Sequence, residues 1–279
     1  MQAEITSIQE RPYVLGHSKH ELDRLIRQAR FWGDLTEHVM RLAGLKPGMR
    51  VLDVGCGAGD VSFLAASLVG PKGTVIGVDK SPEVIAMASQ RAQAAGLANV
   101  HFMIQDLAKL TIDEPVDALI GRLVLMYFAD PAVILRRLSR LLKPGGLVIF
   151  HEIDTSASKS EPICELLKMA VNRIEKAFSR VGADNTMGLK LAQVFQEAGL
   201  PKPQMIQGAR VENGPDSEAY NVVAQLTRTL LPLMERTGIA TAAEVEIDTL
   251  ANRLREEMVA LNATWVSPSL IGAWTRKGA

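Results

Sequence analysis

A glycine-rich turn is the part of the sequence with the clearest chemical meaning. Residues 51–60 read VLDVGCGAGD, in which an apolar strand runs into Gly55, Gly57 and Gly59. Glycines remove side chains where a backbone bends sharply and lies against a ligand. The spacing G-x-G-x-G differs from the G-x-G-x-x-G of dinucleotide-binding turns. Asp53 before the turn would repel a pyrophosphate and suits an ammonium group, so the turn favours a ligand other than a dinucleotide.

Polar residues follow at the ends of later apolar strands. Asp79 closes the next predicted strand, where an acid can accept hydrogen bonds from two ribose hydroxyls. The residues after it and at the exits of the two following strands are further candidates: Lys80, Gln105, Asp106, Leu107, Gly121 and Arg122. Because the carboxyl ends of parallel strands meet at one edge of a sheet, these residues are expected to surround one ligand.

Five motifs in order carry a resemblance to a known family. They read DVGCGAG, TVIGVD, VHFMIQDL, VDALIGR and LKPGGLVIF. This series is similar to that of class I S-adenosylmethionine-dependent methyltransferases of the bacterial small-molecule type, and it resembles the ubiquinone and menaquinone C-methyltransferase group. The resemblance covers residues 46–155. It implies S-adenosyl-L-methionine as the cofactor, S-adenosyl-L-homocysteine as the product and methyl transfer as the activity.

The resemblance implies a cofactor site that uses the N-terminal segment as well as the strand ends. The stretch YVLGHS, residues 13–18, resembles the N-terminal lid of such methyltransferases, and it fits equally an ordinary helix start capped by Ser18. An Asp at the position of Asp106 is implied to meet the adenine amino group. The implied cofactor contacts are Tyr13, His17, Gln28, Asp53, Gly55, Cys56, Gly57, Gly59, Asp79, Lys80, Gln105, Asp106, Leu107, Gly121 and Arg122.

Arg122 stands in an otherwise apolar run after the fourth predicted strand. A lone arginine in such surroundings is costly to bury unless it is paired. Three roles stay open for it: binding the methionine carboxylate of the cofactor, pairing with Asp53, or reaching solvent.

His151 and Glu152 are the candidate catalytic residues. They follow the fifth predicted strand, at the edge where ligands bind in such sheets. Each fits two interpretations, a general base for a hydroxyl or carbon acid and a solvated residue at a strand end. Tyr127, Trp32 and Trp265 are candidates for the acceptor pocket, with packing in the core as the alternative.

Strand and helix alternate from residue 50 to residue 150, which predicts a parallel, doubly wound sheet. The resemblance implies an α/β fold with a seven-stranded, mostly parallel, Rossmann-like sheet and an added helical cap. Periodicity and turn signals predict helices over 18–44, 61–68, 82–95 (capped by Ser81), 131–142 (capped by Asp130), 160–181, 187–198, 217–237 and 242–261, and strands over 203–211 and 270–275. The predicted organisation is a helical lid (1–45), a cofactor-binding core (46–155) and a region that completes the sheet (156–279) with cap insertions at 156–183 and 215–262.

The composition limits the partners. The 279 residues include 31 Lys and Arg and 31 Asp and Glu, so the formal net charge is zero, and aromatic residues make up 5%. No nucleic-acid partner is expected, because phosphates usually need a basic face and single-stranded bases need stacking platforms. Cys56 and Cys164 lack metal-type spacing, so neither a metal site nor a thiol cluster for arsenic is expected.

The charged N-terminus and the shortness of the apolar runs predict a cytoplasmic protein without membrane contact, as a monomer or homodimer. The predicted function is methylation of an O, N or C atom of a small organic acceptor, such as a quinone-like compound or a secondary metabolite. The alternatives are a protein or RNA methyltransferase, an NAD-dependent oxidoreductase disfavoured by the glycine spacing, and a non-catalytic S-adenosylmethionine-binding regulatory module.

Overall fold

A computed structural model describes residues 10–11 and 19–278, with the backbone alone for residues 19–30. Its strands are β1 (Arg50–Val54), β2 (Thr74–Asp79), β3 (Val100–Ile104), β4 (Val116–Arg122), β5 (Leu142–Asp154), β6 (Lys159–Glu161), β7 (Gln204–Gly208), β8 (Val211–Glu212), β9 (Thr264–Val266) and β10 (Ser269–Arg276). Seven of these described strands form one sheet in the order β3-β2-β1-β4-β5-β10-β7. The predicted α/β fold with a seven-stranded sheet is confirmed.

The order of the strands places a switch point at the centre of the sheet. Strands β1 to β5 pair in parallel, and β10 is antiparallel to both of its neighbours, β5 and β7. The chain proceeds from β1 to β2 on one side and later returns to β4 on the other side of β1. In open α/β sheets, ligands bind at the carboxyl ends of the strands beside such a reversal.

The helices cover both faces of the sheet. They are α1 (Lys19–Ala43), α2 (Asp60–Val69), α3 (Pro82–Ala94), α4 (Pro131–Ser139), α5 (Glu165–Arg180), α6 (Met187–Glu197), α7 (Ala219–Arg236), α8 (Ala242–Val245) and α9 (Leu250–Ala260), with a 3₁₀ turn at Leu125–Tyr127. Both predicted caps are confirmed, since Ser81 Oγ accepts a hydrogen bond from the Val84 N–H at 3.4 Å and Asp130 Oδ1 accepts one from the Val133 N–H at 3.1 Å. These bonds satisfy amide groups that a helix start leaves without a partner.

Buried apolar residues form two clusters, one on each face of the large sheet. Val51 and Val75 belong to one cluster, whereas Leu52 and Ile76, their neighbours in sequence, belong to the other. This division follows from the two-residue period of a strand, which points successive side chains to opposite faces. The continuous apolar runs of β1 and β2 are therefore buried on both sides, as parallel strands between helices usually are.

Three predicted elements need correction beyond small shifts of their ends. The helix predicted over 160–181 begins only at Glu165, because residues 159–161 form β6 and pair with β9. The helix predicted over 242–261 is split into α8 and α9, and Glu246 at the break has a left-handed φ of 48°. The strand predicted over 203–211 ends at Gly208.

A second sheet was not predicted at all. Strands β6, β9 and β8 form it in that order, and its strands are two or three residues long. Segments this short carry no alternating pattern, and β6 and β9 are about one hundred residues apart in the chain, so only the tertiary fold brings them together.

None of the described helices combines the length and the apolar character that crossing a bilayer needs.

Candidate active site

A cavity of about 260 Å³ opens where β1, β2 and β4 end. Residues at or just after the ends of the strands line one part of it, here called the sheet side: Gly55, Cys56, Gly57, Asp79, Lys80, Gln105, Leu107 and Arg122. Helices α5 and α7, strand β9 and a nearby loop line the other part, here called the cap chamber: Val171, Ile174, Glu175, Phe178, Asn185, Val222, Gln225, Leu226 and Trp265. Because the two parts are continuous, a ligand in the sheet side can contact a ligand in the cap chamber.

The three glycines of the turn have different surroundings. All three have positive φ, 64° at Gly55, 51° at Gly57 and 88° at Gly59. A Cβ added at Gly57 would meet no atom of the described structure within 4 Å, whereas at Gly59 it would lie 2.8 Å from the ring of Phe102 and 2.9 Å from that of Phe63. Gly57 therefore leaves open space in the cavity, and Gly59, which does not line it, is a packing glycine rather than the predicted cofactor contact.

This difference predicts separate effects of two alanine substitutions. Gly57→Ala is expected to cost the fold about 1–2 kcal/mol through the left-handed backbone and to weaken the binding of S-adenosylhomocysteine, because the new methyl group enters the cavity. Gly59→Ala is expected to lower the unfolding free energy by roughly 1–3 kcal/mol more than Gly57→Ala does, because the added methyl group overpacks the core. Calorimetric titration and chemical denaturation measure the two effects, and wild-type affinity in folded Gly57→Ala would contradict the assignment.

Asp79 joins the turn to the end of the next strand. Its Oδ2 accepts a hydrogen bond from the Gly57 N–H at 3.1 Å, and its Oδ1 accepts one from the Ser81 N–H at 3.1 Å. Each carboxylate oxygen has a further lone pair, so the side chain can still accept hydrogen bonds from two hydroxyl groups in the cavity. This arrangement agrees with the ribose-binding role predicted for Asp79.

The residues after β3 divide between the cavity and the surface. Gln105 lines the cavity, and its side-chain oxygen and nitrogen bond to the backbone of Thr111 at 3.1 and 3.3 Å. Leu107 also lines the cavity. Asp106 is exposed and does not line it, because its Oδ1 accepts a hydrogen bond from the Ala108 N–H at 2.8 Å and caps the local turn. The predicted contact of Asp106 with adenine is thus not supported by its position.

Asp53 is buried beneath the turn instead of lining the cavity. Its side chain is 1% exposed and accepts a hydrogen bond from the Ser62 hydroxyl at 2.6 Å. Burial raises the pKa of Asp53 to about 7, although the Ser62 hydrogen bond and the positive charge of Arg122 act in the opposite direction. The predicted direct contact of Asp53 with an ammonium group is therefore not supported by its position, because the strand directs this side chain into the protein interior.

Arg122 lines the cavity, and its guanidinium donates a hydrogen bond to the Thr36 hydroxyl on α1 at 3.1 Å. Burial lowers the pKa of Arg122, while the negative charges of Asp60 and Asp53 raise it. Of the three roles left open, the position at the cavity wall favours an anionic group of the ligand. Gly121 does not line the cavity and packs instead, since a Cβ there would lie 2.4 Å from the Phe150 ring.

The two predicted catalytic residues lie inside the sheet. His151 and Glu152 are both 0% exposed, and neither lines the cavity. Strand β5 continues to Asp154, with β10 paired along this extension, so both residues are within a central strand rather than after its end. This position does not support the prediction that either one meets the acceptor.

Glu152 has a clear structural contact. Its Oε1 accepts hydrogen bonds from the N–H groups of Val124 at 2.9 Å and Leu125 at 2.7 Å. Burial raises the pKa of Glu152 to about 8, and the same factor, together with the charge of Arg122, lowers the pKa of His151 to about 3. Glu152 thereby fixes the segment after β4, of which Val124 lines the cavity.

The described part of the N-terminal segment, Glu10 and Arg11, lies beside the cavity. Glu10 lines the cavity, forms a bridge with Phe128 and pairs with Lys80 at 2.6 Å. The Arg11 N–H donates to the Tyr127 carbonyl at 2.7 Å, and its guanidinium donates to the Gly182 carbonyl. This placement agrees with an N-terminal lid, whereas Tyr13, His17 and the side chain of Gln28 lie outside the described residues.

The sequence prediction missed the polar residues of the cap chamber. Glu175, Asn185 and Gln225 line it, although none was a candidate. A signal existed, because Glu175 interrupts a stripe of apolar residues at helical spacing. Tyr127, Trp32 and Trp265 satisfy both predicted interpretations, since each is buried and lines the cavity.

A comparison with known protein families identifies the family to which this site belongs. Residues 45–199, more than half of the chain, match the family model described as a methyltransferase domain. The chain belongs to this family. The resemblance seen in the five motifs is confirmed, and dependence on S-adenosylmethionine comes with it.

Two curated relatives and one solved structure illustrate the family. An arsenite methyltransferase of Halobacterium salinarum is 37% identical over 116 residues, 41% of this chain but only 30% of the relative. A demethylmenaquinone methyltransferase of Bacillus cytotoxicus is 29% identical over 184 residues, 61% of this chain and 77% of the relative. The crystal structure of a putative methyltransferase from Bacillus halodurans is 17% identical, with a TM-score of 0.59, and covers 88% of this chain and 100% of its own; it shows the shared fold.

Proposed function

We propose that this methyltransferase-family protein transfers the methyl group of S-adenosylmethionine to a small organic acceptor in the cap chamber. One observation carries the proposal: a single cavity is lined by the glycine turn and by helices α5 and α7. Its walls are predominantly apolar with a few polar groups, as in sites for small molecules. A macromolecular acceptor would need a groove open to solvent.

The residues of the sheet side fit the cofactor. The space beside Gly57 accommodates a ligand against the backbone, Asp79 offers carboxylate oxygens to ribose hydroxyls, and Arg122 offers a cation to the methionine carboxylate. When bound, S-adenosylmethionine supplies a methyl group on a sulfonium: a lone pair of the acceptor forms the bond to carbon while the C–S bond breaks with its electron pair on sulfur. The contacts to ribose and carboxylate would fix where that methyl group lies.

Positioning is the main work of the protein in this proposal. Holding two reactants in line at contact distance accounts for a large part of many rate enhancements. Trp265, Phe178 and the other apolar residues of the cap chamber exclude water and hold the body of the acceptor. His151 and Glu152 are too buried to take a proton from it, so the proposal requires no general base from them.

The relatives suggest two kinds of acceptor, and the site favours one. Quinone precursors are organic and apolar, whereas arsenite is bound by soft thiolate ligands. Of the two cysteines in the sequence, Cys56 lines the cavity and Cys164 does not. Burial also raises the pKa of both thiols, which opposes thiolate formation. We therefore favour an organic acceptor.

Two measurements test the proposed function. Calorimetric titration with S-adenosylmethionine and S-adenosylhomocysteine is expected to give micromolar-scale dissociation constants, which correspond to a binding free energy of about 8 kcal/mol. Incubation of the protein with methyl-labelled cofactor and fractions of small metabolites is then expected to label a small molecule. Binding of NAD without binding of either cofactor form would overturn the proposal. Label found only in protein or RNA would favour a macromolecular acceptor, and cofactor binding without any transfer would favour a regulatory module.

Other expectations from the sequence stay predictions. They are the cytoplasmic location, the monomeric or homodimeric state, the role in secondary metabolism and the division into regions 1–45, 46–155 and 156–279. Light scattering of the purified chain measures the oligomeric state, and cell fractionation measures the location.

A further inference from the structure

A carboxylate interrupts the apolar wall of the cap chamber. Val171, Ile174, Glu175 and Phe178 all line the cavity from α5. Their spacing of three and four residues places them on one face of the helix. Three of the four are apolar, so Glu175 places a charge on a surface that otherwise excludes water. Glu175 is half-buried, so it loses part of its hydration there, and an opposite charge would offset that loss.

A second hydrogen-bond acceptor faces the same cavity from α7. Gln225 lines it between Val222 and Leu226, in another apolar stripe. The Oε1 atom of Gln225 is buried and has no hydrogen-bond partner among the described residues. Helices α5 and α7 pack directly against each other. Buried polar atoms in native proteins are nearly always hydrogen-bonded, so this oxygen points to a donor that the described residues do not provide.

The charges around the cavity are unevenly distributed. The described lining residues with positive charge are Lys80 and Arg122, both on the sheet side. Lys80 pairs with Glu10, and Arg122 bonds to Thr36. In the described ranges Glu175 forms no ion pair, and no cationic residue lines the cap chamber. Among the residues that the structure describes, the negative charge of the chamber therefore has no cationic partner.

Asn185 extends the same polar patch. Its amide nitrogen donates a hydrogen bond to the backbone carbonyl of Glu175 at 3.0 Å, which connects α5 to the start of α6. This bond occupies one of the donors of Asn185 and leaves its side-chain oxygen as a further acceptor. Glu175, Gln225 and Asn185 together offer oxygen atoms to a ligand with N–H groups.

We infer that the acceptor is an amine: an apolar body with a positively charged nitrogen group, which Glu175 and Gln225 bind in the cap chamber. This inference rests on the proposed function and names the class of its acceptor. Glu175 supplies the opposite charge and accepts the proton that the nitrogen must release before its lone pair attacks the methyl group. Gln225 Oε1 accepts an N–H hydrogen bond, and the apolar stripes enclose the body. A carboxylate or phosphate in the same position would be repelled by Glu175.

Three compounds that share a phenyl-and-two-carbon skeleton but differ in charge test the inference. The probes are 2-phenylethylamine, 2-phenylethanol and phenylacetate, and the protein is the full chain saturated with S-adenosylhomocysteine. An alkyl amine of this type is protonated at neutral pH, as lysine is. Saturation-transfer NMR or calorimetry is expected to show the amine binding at least tenfold more tightly than the alcohol, with the carboxylate weakest. No detectable binding of the amine, or equal binding of the carboxylate, would overturn the inference.

Substitutions locate the effect. Glu175→Gln keeps the size of the side chain and is expected to remove the preference for the amine, and Gln225→Met is expected to reduce amine binding several-fold. Glu165→Gln, at an exposed position on the same helix, is the matched control and should keep the wild-type preference. An unchanged preference in folded Glu175→Gln would sink the assignment. Affinity for S-adenosylhomocysteine should be the same in all variants; its absence in the wild type would instead refute the proposed function.

Discussion

Asp79→Ala is expected to weaken the binding of S-adenosylhomocysteine roughly ten- to hundredfold, or about 1.5–3 kcal/mol. Asp79 lines the cavity with lone pairs available to ligand hydroxyls, and its carboxylate also accepts hydrogen bonds from the N–H groups of Gly57 and Ser81. Its loss therefore removes ligand contacts and loosens the turn that shapes the cavity. Calorimetric titration measures the change in affinity.

Two controls separate these contributions. Asp79→Asn keeps one side-chain oxygen and the size of the group, so it is expected to fold like the wild type and to lose less affinity than the alanine variant. Asp113→Ala removes an exposed acid that does not line the cavity and should bind as the wild type does. Asp106→Ala should behave like this control, because Asp106 caps a surface turn. Full affinity in Asp79→Ala would show that the ribose site lies elsewhere.

Glu152→Leu is expected to lower the free energy of unfolding by about 2–5 kcal/mol. The substitution would leave the N–H groups of Val124 and Leu125 buried without an acceptor. Because the same segment lines the cavity, the variant should also bind S-adenosylhomocysteine more weakly. Chemical denaturation followed by circular dichroism measures the stability, and a loss below about 1 kcal/mol would contradict this role.

Glu152→Gln is the matched control, because its amide oxygen can accept the same two hydrogen bonds. Burial raises the pKa of Glu152 from 4.5 to about 8, so the folded chain holds a proton here that the unfolded chain has released. The unfolding free energy of the wild type therefore falls as the pH rises through this window. The glutamine does not titrate, so its stability relative to the wild type should increase over the same window. A catalytic base would give a different result, namely a loss of turnover in Glu152→Gln.

The sequence determined the central sheet and the strand ends at which the proposed cofactor site lies. Apolar runs that end in Asp79 and Arg122 can be recognised locally, because a strand buried on both faces must be apolar along its whole length. The turn at Gly55–Gly59 and the caps at Ser81 and Asp130 are likewise local, since they depend on neighbouring residues only. Because these strands are parallel and alternate with helices along the chain, their carboxyl ends lie at one edge of the sheet, where the structure has the cavity.

Local signals failed where partners are distant in the chain. Gly57 and Gly59 both have positive φ, and the packing of Phe102, from the later strand β3, against Gly59 distinguishes this core glycine from the cavity glycine. The three-residue strand β6 depends on β9, about one hundred residues later, to form at all. Neither relation has a pattern within a short window of sequence.

The tertiary structure alone decided which polar residues line the cap chamber. His151 and Glu152 were expected after the end of β5, but the pairing of β10 with residues up to Asp154 extends that strand and buries both side chains. Glu175 and Gln225 reach the cavity because α5 and α7 pack over the sheet with those faces inward. The direction of a side chain depends on which surface its element packs against, and that surface is assembled from residues far apart in the sequence.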